Sequence, residues 1–322
     1  MDSVYRSFLA PDINAYAMYQ KASGRWSDTY EKNMRYFDVH CTESYPDALV
    51  LTQDMVNEWC AQRSTEKNNS CIARIKVVVG FIKYLRVRDK TDIAVPVFPV
   101  KERRTYIPHS FTELELKNFF SACDNLPSKP SVPIVLSRKL TVPVFFRLLY
   151  SSGIRTCEAR LLQMGDVDLV QGVLSIKHSK GESQHFVVLH DTMLHLLRKY
   201  DVAIRSIFPK RQYFFQSPYG SHYHRVWVSS NFRKLWSVYN TSNATAYALR
   251  HNYAIENINQ WIGYGFEFDS KLLYLSKSMG HSTMESTKYY YNLVPAFADI
   301  MEDLSGQSFE DIVPEVEYDE SQ

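Results

Sequence analysis

The chain has 322 residues, enough for two domains that each bury a core, and its 45% hydrophobic and 22% charged residues are ordinary for a globular protein. No run of about 18 apolar residues occurs, which argues against a membrane span, and five scattered cysteines without a CxxC pair argue for free thiols over a disulfide framework or zinc site. The net charge of +2 hides an asymmetry: residues 302–322 carry eight acidic residues and no Lys or Arg, leaving 37 basic against 27 acidic residues elsewhere, a balance that suits a polyanion-binding surface and equally a solvated one.

The first hundred residues read as four helices, over 11–21, 27–41, 52–63 and 70–88. Thr52 stands before the apolar-periodic DMVNEWC as an N-cap. In the fourth helix Ile72, Ile75, Val78, Val79, Ile82 and Leu85 recur at helical spacing and mark a core face. Arg74, Lys83 and Arg86 fall off that face, where a solvated surface and phosphate contacts are both open readings. The first residues lack a basic stretch followed by an apolar core, so secretion is not expected.

Pro96, Pro99 and Pro108 then oppose helix and favour an extended connection. The expected organisation is a helical domain over 1–95, a linker over 96–108 made basic by Arg103 and Arg104, a second domain over 109–300, and an acidic tail over 301–322. The second domain opens on a capping box, Thr112 with Glu115, with Phe111 placed to staple onto Leu116. A helix is expected over 141–151, then a turn and short helix in GIRTCEARLLQMGDVDL. Two β-runs, 173–177 and 185–189, flank the polar loop HSKGES and predict a hairpin. Helix resumes over 192–207, and most of the remainder to residue 302 reads as helical.

Five residues with chemistry stand in a fixed order: Arg155, Lys180, Arg250, His281 and Tyr290. Arg155 is followed by Glu158 in SGIRTCEARLL, Arg250 and His251 lie in ALRHNYA, and Gly280-His281 precedes Tyr290 by nine residues in SKSMGHSTMESTKYYY. This ordered set resembles the catalytic domain of tyrosine recombinases, the family of phage integrases and Xer-type enzymes, over residues 111–298. The resemblance implies a mainly α fold with a small β-sheet: a helical, SAM-like core-binding domain in front of an α/β catalytic domain. It implies site-specific cleavage and rejoining of DNA through a 3′-phosphotyrosyl intermediate, with no cofactor, metal or ATP. Arg155 and Arg250 would clamp the phosphate, Tyr290 would attack it, Lys180 would protonate the leaving oxygen, and His281 would hydrogen-bond the phosphate or act as base. Glu158 would orient Arg155. The implied partners are double-stranded recombination sites, bound as a homotetramer on two duplexes with or without accessory proteins or a related recombinase, in the cytoplasm at the nucleoid.

One position departs from the family, which usually carries histidine three residues before its second arginine; here it is Tyr247. A phenol donates a hydrogen bond but is a poor base at neutral pH. That departure keeps a second reading open, a catalytically weakened DNA-binding partner of another recombinase. A topoisomerase-like strand cleaver would share the chemistry. The stretch between Arg250 and His281 looks longer than in Xer-type enzymes and favours a mobile-element or phage integrase.

Overall fold

The structure is a computed structural model that describes residues 5–102, 108–129, 131–177, 184–261, 267–281, 283 and 285–288. It is mainly helical with one small sheet, and the chain divides into two compact units, Met1–Tyr106 and Ile107–Gln322. No helix among the described residues is long and apolar enough to cross a membrane.

The first unit holds α1 (Ala10–Ala22), α2 (Asp28–Ser44), α3 (Gln53–Cys60) and α4 (Asn68–Arg86). Side-chain caps start two of them: Ser27 Oγ accepts from the Tyr30 amide, and Thr52 Oγ1 from the Met55 amide. The core gathers Ile13, Tyr16, Met34, Phe37, Val56, Val78, Phe81 and Ile82 from all four helices. Gly80 makes room on α4 for the Tyr16 phenol, since a Cβ there would lie 2.3 Å from its oxygen. The buried Asp38 carboxylate fixes the entering chain by accepting from the amides of Arg6 and Ser7 and from Ser7 Oγ.

Arg74 corrects the expectation of an exposed phosphate contact. Its side chain turns into the unit, where Nε and Nη2 reach the Glu66 carboxylate at 2.8 and 2.7 Å. Its remaining donors go to the carbonyls of Trp59 and Ala61. Helical spacing sets the side on which a residue starts, but a long arginine on the rim of an apolar face can bend inwards when a carboxylate and open carbonyls wait there. Lys83 and Arg86 are exposed on α4, while Arg103 and Arg104 lie outside the described residues. The extended chain after α4 is tied down as far as Glu102. Asn68 donates to the Val100 carbonyl, its amide to the Glu102 carboxylate, and Asn69 exchanges bonds with the Glu102 backbone.

The second unit begins with α5 (Glu113–Asp124), started by the Thr112–Glu115 capping box, with Phe111 and Leu116 in the same apolar cluster. Glu115 also accepts from Ser242 and His109. Burial alone would raise its carboxyl, but these donors and the Thr112 amide hold it at about 2. Next come α6 (Pro133–Ser152), α7 (Thr156–Leu161) and a 3₁₀ turn, Met164–Asp166. The sheet then follows in the order β1 (Val167–Asp168), β2 (Val173–Ile176), β3 (His185–Val188), all antiparallel. Asp168 Oδ1 accepts from the Val170 and Gln171 amides and so closes the β1–β2 turn. The unit is completed by α8 (Asp191–Arg205), α9 (Arg225–Trp236), α10 (Ala248–Trp261), α11 (Glu267–Ser278) and α12 (Glu285–Lys288).

Helix α6 starts eight residues before the expected 141–151 helix, with Pro133 in its first turn and Pro143 inside it. An internal proline removes one helical hydrogen bond. Burial of Val142, Val144, Phe145, Phe146, Leu148 and Leu149 against the rest of the unit offsets that loss.

Candidate active site

Two glycine turns build the site. Gly153 ends α6 with φ 64°, a left-handed conformation that suits glycine, and a Cβ there would lie 2.2 Å from the Tyr253 ring. The chain leaves that turn directly into Arg155, the residue that starts α7. Gly280 ends α11 with φ 63°, and the amides of Gly280 and His281 bond back to the carbonyls of Lys277 and Ser276. This double closure of a helix C-terminus sets the direction in which His281 leaves.

Both turns offer main-chain carbonyls to arginines. Arg250, near the start of α10 and 2% exposed, donates from Nη1 to Gly153 O at 2.6 Å and from Nη2 to Met279 O at 2.7 Å. Its Nη2 also lies 3.0 Å from His281 Nε2. Arg155 donates from Nη2 to Gly280 O at 3.0 Å and from Nη1 to Glu158 Oε1 at 2.6 Å. Glu158 Oε2 accepts from the Arg155 amide at 2.7 Å, so one buried carboxylate caps α7 and steadies the guanidinium together. The carbonyl ends of α6 and α11 are the negative ends of their dipoles, which adds to the attraction for the two cations.

The charges act on one another. Burial would raise the Glu158 carboxyl, but the Arg155 charge and hydrogen bonds, with Arg250 beyond, hold it below its usual range. Burial first, then the Arg250 and Arg155 charges, push His281 down to about 3, so its ring is neutral at physiological pH. His251, also buried, is pushed down to about 4 by burial first and then by the Arg250 charge. Among the described residues the cluster therefore sets two full positive charges against one negative charge and neutral imidazoles. Such an arrangement suits an anion held by fixed guanidinium forks.

Of the residues expected from sequence, Arg155, Glu158, Arg250 and His281 come together. Lys180 and Tyr290 lie outside the described residues. Tyr247 is half-exposed just before α10, with its ring edge-on to His251 at 4.9 Å between centroids. Two side chains escaped the sequence reading. His185, the first residue of β3, packs against Gly280, where a Cβ would meet its ring at 2.5 Å. Thr287 on α12, fully buried, places Oγ1 2.7 Å from His281 Nδ1. Spacing could have flagged Thr287, six residues after His281, but nothing local marks His185, which arrives from a separate strand.

Residues 110–296 match the model of the phage integrase family. A putative integrase/recombinase of Sinorhizobium fredii, y4rE, is 30% identical over 231 residues, 69% of this chain and 72% of that protein. Tyrosine recombinase XerC of Chlorobaculum parvum is 30% identical over 158 residues, 44% of this chain and 42% of that protein. The integrase of transposon Tn1549, solved in complex with transposon right end DNA, superposes with a TM-score of 0.62 at 15% identity. The match covers 92% of this chain and 99% of that one, a likeness of fold.

Proposed function

The chain belongs to the phage integrase family of tyrosine recombinases, and from that premise we propose that it is a site-specific DNA recombinase acting through Arg155, Lys180, Arg250, His281 and Tyr290. The observation that carries the reading is the convergence of Arg155 and Arg250 on one spot, with Glu158 steadying the first and His281 bonded to the second. A phosphodiester is an anion that gains charge on its non-bridging oxygens under attack. Two guanidiniums already held at the site stabilise that change.

Tyr290 Oη attacks the phosphorus, the bond to the 5′ oxygen breaks, and a 3′-phosphotyrosyl bond forms. The phenol proton passes to His281, and the departing 5′ oxygen takes a proton from Lys180. The phosphotyrosyl bond conserves the energy of the bond it replaces, so a 5′-hydroxyl from the partner strand reseals it without ATP. Tyr247, in the place of the family's usual histidine, donates a hydrogen bond towards the phosphate and leaves proton transfer to His281. The exposed Lys83 and Arg86 contact flanking phosphates, with Arg103 and Arg104 in the same role. Four protomers hold two duplexes, and the protein acts at the nucleoid.

The test is a nicked suicide substrate built on DNA that the protein is first found to bind. A covalent adduct that disappears in Tyr290→Phe supports the reading, and no adduct from the wild-type protein sinks it. Recombinant joints distinguish a recombinase from a topoisomerase-like cleaver, which yields relaxation alone. An adduct seen only with a second recombinase present would favour the partner reading that Tyr247 keeps open.

A further inference from the structure

We propose that Thr287 is a positioning residue: its hydroxyl accepts the Nδ1 proton of His281 and so leaves Nε2 as the basic nitrogen turned towards Arg250. The inference deepens the recombinase reading and rests on it for its catalytic consequence. Its structural half stands by itself.

Arginine only donates hydrogen bonds. Arg250 Nη2 has two hydrogens; one goes to Met279 O at 2.7 Å, and the other points at His281 Nε2, 3.0 Å away. Nε2 therefore accepts. Burial and two neighbouring guanidiniums keep the ring neutral, and a neutral imidazole carries one proton. With the Nε2 lone pair engaged, that proton sits on Nδ1. Nδ1 lies 2.7 Å from Thr287 Oγ1, and Thr287 is fully buried, so water does not compete for the position.

The tautomer matters for the reaction. When a DNA phosphate engages the guanidiniums, Nε2 is released with its lone pair intact and can take the phenol proton of Tyr290. The opposite tautomer would present an N–H at that point and could take nothing. Thr287 also precedes Tyr290 by three residues. One hydrogen bond thus ties the histidine turn to the segment that leads into the nucleophile.

Two measurements on the full chain test this. In long-range 1H–15N spectra of protein labelled at histidine nitrogen, with His281 assigned by its loss in His281→Gln, the wild type is expected to show Nδ1 protonated and Nε2 bare. Thr287→Val, which keeps the shape and removes the acceptor, is expected to move the proton to Nε2 or divide it between the two. In single-turnover adduct formation on the suicide substrate, Thr287→Val is expected to be slower by about tenfold, the rate equivalent of stranding one buried donor. DNA affinity should be unchanged, and Thr287→Ser, which restores the hydroxyl, should recover most of the rate. A wild-type spectrum with the proton on Nε2 overturns the proposal, as does a Thr287→Val protein that cleaves at the wild-type rate. Equal defects in Thr287→Ser and Thr287→Val do the same. If the wild type forms no adduct on DNA it binds, the recombinase reading fails, and the spectrum still decides the tautomer.

Discussion

Both units of this protein bury arginines, and Arg74 of the first and Arg250 of the second are used differently. Arg74 in the first unit is matched one to one by Glu66, with carbonyls taking its other donors. The pair is neutral as a whole, and it staples the segment between α3 and α4. Arg250 in the second unit bonds to two carbonyls and a neutral histidine, and the nearby Glu158 is already committed to Arg155. Balanced charge makes a fastening; among the described residues of the second cluster, two guanidiniums face one carboxylate, an arrangement that suits an anion. The carbonyl ends of α6 and α11 meet the Arg250 guanidinium and favour positive charge there.

The largest expected effect breaks the comparison at its functional end. Arg250→Lys keeps the charge and loses the planar fork, and it should slow adduct formation by roughly a thousandfold, the cost of removing one preorganised donor at the reacting oxygens. Single-turnover cleavage measures it; a rate within a few-fold of wild type would remove Arg250 from the reaction. The corresponding change in the first unit, Glu66→Ala, should leave cleavage intact and lower stability by about 3 kcal/mol, because it strands a buried guanidinium. Denaturant unfolding followed in that unit checks it, and an unchanged midpoint would show the staple to be idle.

Gly280→Ala tests how tightly the turn must close. It forces a Cβ into the His185 ring and a side chain onto positive φ, and should cost about 1–3 kcal/mol, read as a lower unfolding temperature together with a slower cleavage rate.

The two units should also part company in acid. Folded, His281 and His251 take up protons only at about 3 and about 4, whereas unfolded they do so near the ordinary histidine value of about 6.5. Their contribution is therefore present above about pH 6.5 and declines as pH falls through that window, by about 1–2 kcal/mol per histidine at pH 5. Glu66, held at about 2 mainly by its hydrogen bonds to Arg74, contributes above the ordinary carboxyl range near 4.5 and is lost between there and about 2. Lowering the pH from 7 to 5 should weaken the second unit first, and His281→Gln should flatten that slope. The smallest effect belongs to the exposed cations: Lys83→Ala and Arg86→Ala should each weaken DNA binding modestly on any sequence and reduce the salt slope by about 1.

Much of this was legible from local pattern. The capping box at Thr112 and Glu115, the cap at Thr52, the hairpin strands and the turn at Gly153 depend on neighbours within a few residues, and motif order pointed to Arg155, Glu158, Arg250 and His281. Other features were not legible. The early start of α6 runs through a proline, against local propensity, and is carried by distant packing. Strand β1 is two residues long and exists because β2 lies beside it.

Arg74 is the sharpest case. Its place in the helical repeat suggested solvent, and a carboxylate eight residues away, with carbonyls from the preceding helix, drew it inside. The amino-acid sequence by itself determined which groups the protein has for its chemistry and the order in which the chain presents them, because residue type and short-range spacing carry that information. Only the tertiary structure decided which arginine pairs with a carboxylate of its own and which bonds to carbonyls and a histidine. It also decided which groups the two nitrogens of His281 face, because those groups are brought together from α10 and α12.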